Sequence, residues 1–212
     1  MIEFMKGKMM ITHNDLINHL ILSKVLYSTN IIEAFKNIDR INFVVNKNIS
    51  FIHEDYPLDI GYSQTISQPS TVAMMIEMLE PKKGDRILDI GSGSGWTTAL
   101  LAVIVGVSGS VIGLERVKQL VEFGSSNLEK FNFKNAKIIQ AGDNLGIPNE
   151  TFDRILVSAA AEEFPYELIK QLKTNGKLVI PVKNSILEIT KKEDGMIEEI
   201  EHYGFRFVPL IV

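Results

Sequence analysis

Two short segments concentrate the residues able to do chemistry. In the first, Asp89-Ile-Gly-Ser-Gly-Ser-Gly95, three glycines alternate with serines directly behind the apolar run Arg86–Ile90. Glycines after a strand let the main chain approach a ligand closely, and a following helix offers unpaired N–H groups. An acid, Glu115, lies 24 residues past Gly91, at the end of the next apolar run. Nucleotide-binding sheets receive ribose hydroxyls at that point. The dinucleotide fingerprint G-x-G-x-x-G fails, because Trp96 occupies the third glycine position. A pyrophosphate packed on the helix N-terminus is therefore disfavoured. Read singly, the glycines could form a plain turn and Glu115 a solvated strand end. Their spacing, with Gly142-Asp143 after a third strand, favours a nucleoside pocket.

The second segment is Ile60-Gly-Tyr-Ser-Gln-Thr-Ile-Ser-Gln-Pro69. Gln64, Thr65, Ser67 and Gln68 crowd polar side chains into a stretch that must be extended before Pro69. By itself this reads equally as a hydrogen-bonded loop. With no cysteine in the chain, disulfides, thiolate catalysis and cysteine-ligated zinc are ruled out. His13, His19 and His202 show no ligand spacing and His53 stands alone, so no metal is expected.

These segments need a frame. Thr12-His-Asn-Asp15 before Leu16, Leu20, Ile21 and Val25 is a capping-box start for a helix reaching about Leu26. A short helix over Ile31–Asn37 follows. Phe43–Phe51 is irregular, and Pro57, Gly61 and Pro69 mark a long loop region before a helix at Thr71–Leu79. Then the pattern alternates. Strands are expected at Arg86–Ile90, Ser110–Leu114, Ala136–Gln140, Phe152–Ser158 and Lys177–Val182. Helices fall between them at Trp96–Val105, Val117–Phe131 and Tyr166–Lys173. Alternation of this kind makes a mostly parallel sheet covered on both faces. Ile186–Lys192 and Met196–Glu201, around Asp194-Gly195, read as a hairpin, and Phe205–Val212 as a further strand.

Ile90–Leu114 is an uncharged run of 25 residues, long enough to raise a membrane span. Its six glycines and four serines cluster at both ends. Only Trp96–Val105 can be continuous apolar helix, about 15 Å long and half a bilayer. Met1–Met10 holds two lysines but no apolar core, so no signal peptide is expected and the cytoplasm is the expected location. A net charge of −4 gives no global attraction to nucleic acid. The length of 212 residues suits one compact core with a small extension.

Taken together, these segments closely resemble the protein-L-isoaspartate O-methyltransferases, class I S-adenosylmethionine-dependent enzymes. The most specific pieces are Gln64-Thr-Ile-Ser-Gln-Pro69 and Asp89–Gly95. Gly142-Asp143, Phe152–Ala160, Gln171-Leu-Lys, Gly176–Pro181 and Phe207-Val-Pro-Leu210 follow in the same order. The resemblance implies an α/β fold: a Rossmann-like mostly parallel sheet with helices on both faces, an antiparallel C-terminal hairpin and a small helical N-terminal extension. Residues 1–80 would carry the extension and substrate loop, and 81–212 the cofactor-binding core. It implies methylation of the α-carboxylate of L-isoaspartyl residues in damaged proteins, with S-adenosyl-L-homocysteine as product. Ser67 is the implied catalytic residue. Cofactor contacts are implied for Thr65, Ile66, Ser67, Asp89, Gly91, Ser92, Gly93, Gly95, Glu115, Arg116, Gly142, Asp143 and Asn144. Substrate contacts are implied for His53, Asp55, Ser67 and Val208.

Four positions depart from the family pattern. Ser63 stands where glycine is usual, Ser70 where an aromatic residue or histidine is usual, His53 for tyrosine, and Asn144 for glycine. Asn tolerates left-handed backbone, so the last change is mild. His53 and Ser63 lie on the implied substrate side and bear on acceptor preference. The competing readings are a paralogue methylating another carboxylate or RNA, and a non-catalytic module that keeps the cofactor fold. The acidic charge balance and the lack of a basic, aromatic-rich appendage speak against RNA; intact Ser67, Asp89, Glu115 and Asp143 speak against the module.

Overall fold

The computed structural model describes residues 11–45 and 50–211. The leader expectation for Met1–Met10, residues 46–49 of the irregular stretch, and Val212 lie outside the described residues. Helix α1 (His13–Leu22) starts as a capping box: Thr12 Oγ1 accepts from Asp15 N at 3.2 Å, and the Asp15 carboxylate accepts from Thr12 N at 2.9 Å. It stops four residues before the expected Leu26. Lys24 turns left-handed at φ +61°, and the N–H groups of Val25 and Leu26 fold back onto Leu20 O, burying Leu26. Helix α2 (Thr29–Asn37) begins earlier than the apolar pattern suggests. The Glu77 carboxylate reaches across to accept from Tyr27 N, Ser28 N and Ser28 Oγ at 2.6–2.8 Å, ordering the helix entry.

A 3₁₀ turn (Arg40–Phe43) follows, capped by Asp39. The expected long loop instead holds a hairpin of β1 (Leu58–Gly61) and β2 (Gln64–Ile66). Its turn residues Tyr62 and Ser63 both sit at positive φ, +56° and +57°, as a two-residue turn of this hand requires. Such turns are normally marked by Asn-Gly, which explains why Tyr-Ser gave no hairpin signal. Helix α3 (Pro69–Leu79) starts at its proline, whose fixed φ and missing N–H suit the first helical position.

The main sheet comprises β3 (Arg86–Ile90), β4 (Ser110–Glu115), β5 (Ala136–Gln140), β6 (Phe152–Val157), β7 (Leu172–Val182), β8 (Ser185–Lys191) and β9 (Ile197–Tyr203). Helices α4 (Trp96–Val105), α5 (Lys118–Glu129) and α6 (Glu167–Lys170) connect them. Strand order is β5-β4-β3-β6-β7-β8-β9, parallel through β7 and antiparallel for the last two. Strand β7 takes over the end of the expected Tyr166–Lys173 helix, because Leu172 pairs with Phe152 around a bulge.

Side chains alternate across the sheet. Ile87, Val111, Leu156 and Val179 pack with α3, α4, α5 and the N-terminal helices. Leu88, Ile112, Ile155 and Leu178 face α6 and the loops around Leu145 and Phe164. Among the described residues 205–211, the strand expected over Phe205–Val212 does not form. Pro209 carries no N–H and cannot continue a ladder, so a single bridge remains: Ala160 N donates to Val208 O and Leu210 N to Ala160 O. That pins the C-terminal segment over the carboxyl ends of the strands. Among the described residues no helix is long and apolar enough to cross a membrane.

Candidate active site

Strands β4 and β5 extend the sheet on one side of β3, and β6 and β7 on the other, so strand order reverses at β3. A cleft of about 1010 Å³, counted to its open mouth, lies there beyond the carboxyl ends. This is the usual ligand position of an open α/β sheet. Gln64–Ser67, the glycine loop, Glu115–Val117, the 141–146 turn and Val208–Ile211 all contribute to its lining.

The glycine loop is held from three sides. Gly91, Gly93 and Gly95 have φ of +78°, +51° and +85°, where a side chain costs about 1–2 kcal/mol. Gly91 N and Ser92 N both donate to Leu114 O, at 2.8 and 3.0 Å. On the far side α5 presses its own Gly124 against the loop: a Cβ there would lie 2.8 Å from Gly93 O. Asn127, one turn on, donates to Ser94 O at 2.9 Å. The closeness of loop and helix is a backbone contact that only paired glycines permit.

Glu115 ends β4 with a buried carboxylate. One oxygen accepts from Gly93 N at 2.9 Å, the other from Val117 N at 2.8 Å. A carboxylate has about four acceptor sites, so both oxygens retain lone pairs toward the cleft. Asp89, expected among the contacts, is fully buried behind the loop and does not line the cleft. Its Oδ2 accepts from Thr98 Oγ1 at 2.6 Å, while Oδ1 has no partner among the described residues. Burial pushes its pKa up to about 7; the Thr98 bond opposes this, and the Glu115 charge adds to it. Ser92 Oγ, in the cleft floor, is likewise buried without a partner.

The polar segment ahead of Pro69 faces this loop, and Arg40 holds it there. Its guanidinium, with no exposed surface, donates to five main-chain carbonyls. Ile52, Glu54 and Tyr56 accept at 3.1, 3.4 and 3.0 Å, and Ile66 and Ser67 at 3.2 and 2.9 Å. Arg40 also sits over the Trp96 ring at 5.5 Å, and Trp96 Nε1 reaches Ile38 O at 3.4 Å. The indole that excludes a third glycine therefore ties the extension to the cofactor-side helix. Burial lowers the Arg40 pKa to about 10, with Asp55 and Tyr56 opposing, so the group stays charged at neutral pH.

Of the expected site residues, Thr65, Ile66, Ser67, Gly91, Ser92, Gly93, Glu115, Arg116, Gly142, Asn144 and Val208 share the one cleft. Five do not line it. Gly95 lies under the loop against α5, and Asp143 is exposed at the rim. Asp89 is behind. Asp55 accepts from Ser70 N at 2.8 Å and Gln68 Nε2 at 3.3 Å, at the start of α3. His53 points away, its Nε2 lying 2.9 Å from Asp39 Oδ1 and its Nδ1 3.1 Å from Ile11 O. Three residues have supporting roles that the sequence did not assign, although Gln171 belongs to a family segment. Arg40 is one. Gln171, another, accepts from Ile147 N at 2.7 Å and donates to Leu145 O at 2.9 Å, fixing the 145–147 rim. Glu77 is the third, and it left a trace: it is the only charged residue of α3.

The family model for protein-L-isoaspartate(D-aspartate) O-methyltransferase matches residues 11–212. A Pyrococcus horikoshii protein-L-isoaspartate O-methyltransferase is 42% identical over 193 residues, 88% of this chain and 87% of the relative. That of Fervidobacterium nodosum is 41% identical over 187 residues, 86% of this chain and 94% of the relative. A Plasmodium falciparum crystal structure described as a protein-L-isoaspartate O-methyltransferase, in complex with S-adenosyl-L-homocysteine, superposes with a TM-score of 0.83. The two chains are 32% identical, with 94% of this chain and 98% of that one covered. On a match that spans both the cofactor loop and the Gln64–Pro69 segment, the chain belongs to the protein-L-isoaspartate(D-aspartate) O-methyltransferase family.

Proposed function

We propose that this chain methylates the α-carboxylate of L-isoaspartyl residues in proteins and peptides, using S-adenosyl-L-methionine and releasing S-adenosyl-L-homocysteine. The observation that carries the reading is the placement of Ser67 and the glycine loop in the walls of one cleft. When bound, the cofactor supplies an electrophilic methyl on a sulfonium. The acceptor carboxylate, with a pKa near 4, is already ionised at neutral pH, so no base is needed. Alignment is what remains, and orientation is able to contribute on the order of 7–11 kcal/mol.

The cleft suits such a cofactor chemically. Glu115 has lone pairs left for ribose hydroxyls. The unpartnered Ser92 Oγ in the cleft floor suits a charged group of a methionine end, while Asp89 stands behind the loop and supports it through Thr98. Trp96 leaves no glycine-built seat for a phosphate. Gly142 and Asn144, with Asp143 at the rim, take the adenine side; Thr65, Ile66 and Arg116 bound the opposite walls. Ser67 donates its hydroxyl to the acceptor carboxylate and sets its angle, while Val208 narrows the entrance. In this reading residues 81–212 hold the cofactor and 1–80 present the acceptor. Protein substrates in a cytoplasmic setting accord with the absent cysteines and the charge of −4.

Ser67→Ala should lower kcat by about 10–100-fold, the worth of one hydrogen bond to a charged group, with cofactor affinity nearly unchanged. Loss of cofactor binding instead rejects the assigned role. Tritiated methyl transfer to an isoaspartyl peptide should give base-labile label, with none on the aspartyl peptide or tRNA. Base-stable label on tRNA, or no label at all, overturns the function.

A further inference from the structure

Away from the cleft, folding gathers three groups that the sequence keeps apart. His13 opens α1, Asp39 caps the 3₁₀ turn, and His53 lies in the loop before β1. His53 Nε2 is 2.9 Å from Asp39 Oδ1, and His13 Nδ1 is 3.6 Å from the same oxygen. The ligand atoms of all three lie within 4.8 Å of one another.

The opposite nitrogen of each ring faces a main-chain carbonyl: His13 Nε2 meets Lys36 O at 3.4 Å, and His53 Nδ1 meets Ile11 O at 3.1 Å. A carbonyl only accepts, so those nitrogens carry the protons. The inward nitrogens of the neutral rings then offer lone pairs, both aimed at a carboxylate oxygen. Three converging lone pairs repel one another unless a cation lies among them. A proton on His53 relieves one ring only; His13 Nδ1 stays buried without a hydrogen-bond partner among the described residues.

We propose that His13, Asp39 and His53 bind a divalent transition-metal ion of the zinc type. Two imidazoles and a carboxylate suit zinc and its first-row neighbours, not the hard calcium or magnesium ions. Separations of 2.9 and 3.6 Å bracket the edge of about 3.3 Å expected between tetrahedral ligands with zinc bonds of 2.0–2.1 Å. The carbonyls behind both rings supply the outer hydrogen bonds that fix ring tautomer at metal sites, and Ile41 N, 3.0 Å from Asp39 Oδ1, steadies the carboxylate. Side-chain exposure of 13–31% leaves an approach for the ion and a water as fourth ligand. The ion staples α1 and the Asp39 turn to the loop whose Ile52 and Glu54 carbonyls hold Arg40. It is structural, and none of its three ligands lines the cleft.

Isothermal titration of the chelator-treated full chain with zinc chloride should show one ion per chain, with a rise in Tm. His13→Gln and His53→Tyr should each weaken binding by about 100-fold or more and abolish the Tm rise; His19→Gln and His202→Gln should change neither. No binding by the wild type overturns the site, as does stoichiometric binding that survives both ligand substitutions. Should the variants misfold, cobalt(II) on the wild type decides. Two paramagnetically shifted, exchangeable imidazole N–H resonances support the site; one or none refutes it.

Discussion

Arg40→Lys and Arg40→Met test whether a buried cation in the extension sets the catalytic loop. The guanidinium makes five bonds to carbonyls, two of them at Ile66 and Ser67. Its pKa falls from 12.5 to about 10, a net of about 3 kcal/mol against the charged form at 1.36 kcal/mol per unit, with burial opposed by Asp55 and Tyr56. Charge-assisted bonds contribute about 1.5–3 kcal/mol each, so four terminal N–H groups shared among five carbonyls offset that cost. Methionine fills similar volume but strands the carbonyls, and a loss of about 4–5 kcal/mol is expected. Lysine keeps the charge with three donors on one nitrogen, and about 2–3 kcal/mol should go. Urea unfolding followed by circular dichroism measures both. Because Ile66 and Ser67 carbonyls lose their anchor, Arg40→Lys should also lower kcat by about tenfold or more, with cofactor affinity changing less. Stability within 1 kcal/mol of wild type for both variants, with kcat unchanged, would refute this account.

Asp89 makes stability depend on pH. Its folded pKa of about 7 exceeds the unfolded value near 3.9, so the folded chain holds a proton that the unfolded chain has released. The contribution is therefore complete below about pH 4 and lost as pH rises to about 7, on the order of 3–4 kcal/mol. Asp89→Asn should flatten that part of the ligand-free stability curve; an unchanged slope counts against the buried acid. Ser63→Gly should raise stability by about 0.5–1 kcal/mol in thermal unfolding, because φ of +57° strains serine and suits glycine. A destabilised variant contradicts the turn geometry. Gly124→Ala should gain helix propensity yet lose about 1–2 kcal/mol net and weaken cofactor binding. Its Cβ would fall 2.7 Å from Ile138 Cδ1 and 2.8 Å from Gly93 O. A more stable variant would show that the loop and α5 are not in contact.

Where the chain decides structure locally, the sequence was legible. Strands β3 and β5 and helix α4 have the bounds that apolar runs and glycine punctuation indicated. The cofactor loop was readable because three glycines after a strand leave few conformations open. The hairpin ahead of Pro69 was not, since Tyr62-Ser63 lacks the residues that usually mark such a turn. Asp55 and His53 were assigned to substrate from their place in a family pattern. Folding turned one to the α3 terminus and the other to Asp39.

The sequence by itself determined the alternating α/β order and the ligand end of the sheet; that the polar segment ahead of Pro69 faces it came from the family resemblance. The first two follow from periodicity and turn chemistry, which act between near neighbours. Tertiary structure alone decided which groups far apart in the chain share space: Arg40 with the Ser67 carbonyl, Glu77 with the start of α2, and His13 with His53. A buried hydrogen bond between distant residues imposes no repeat on the chain between them, so it becomes visible only when the core has closed around it.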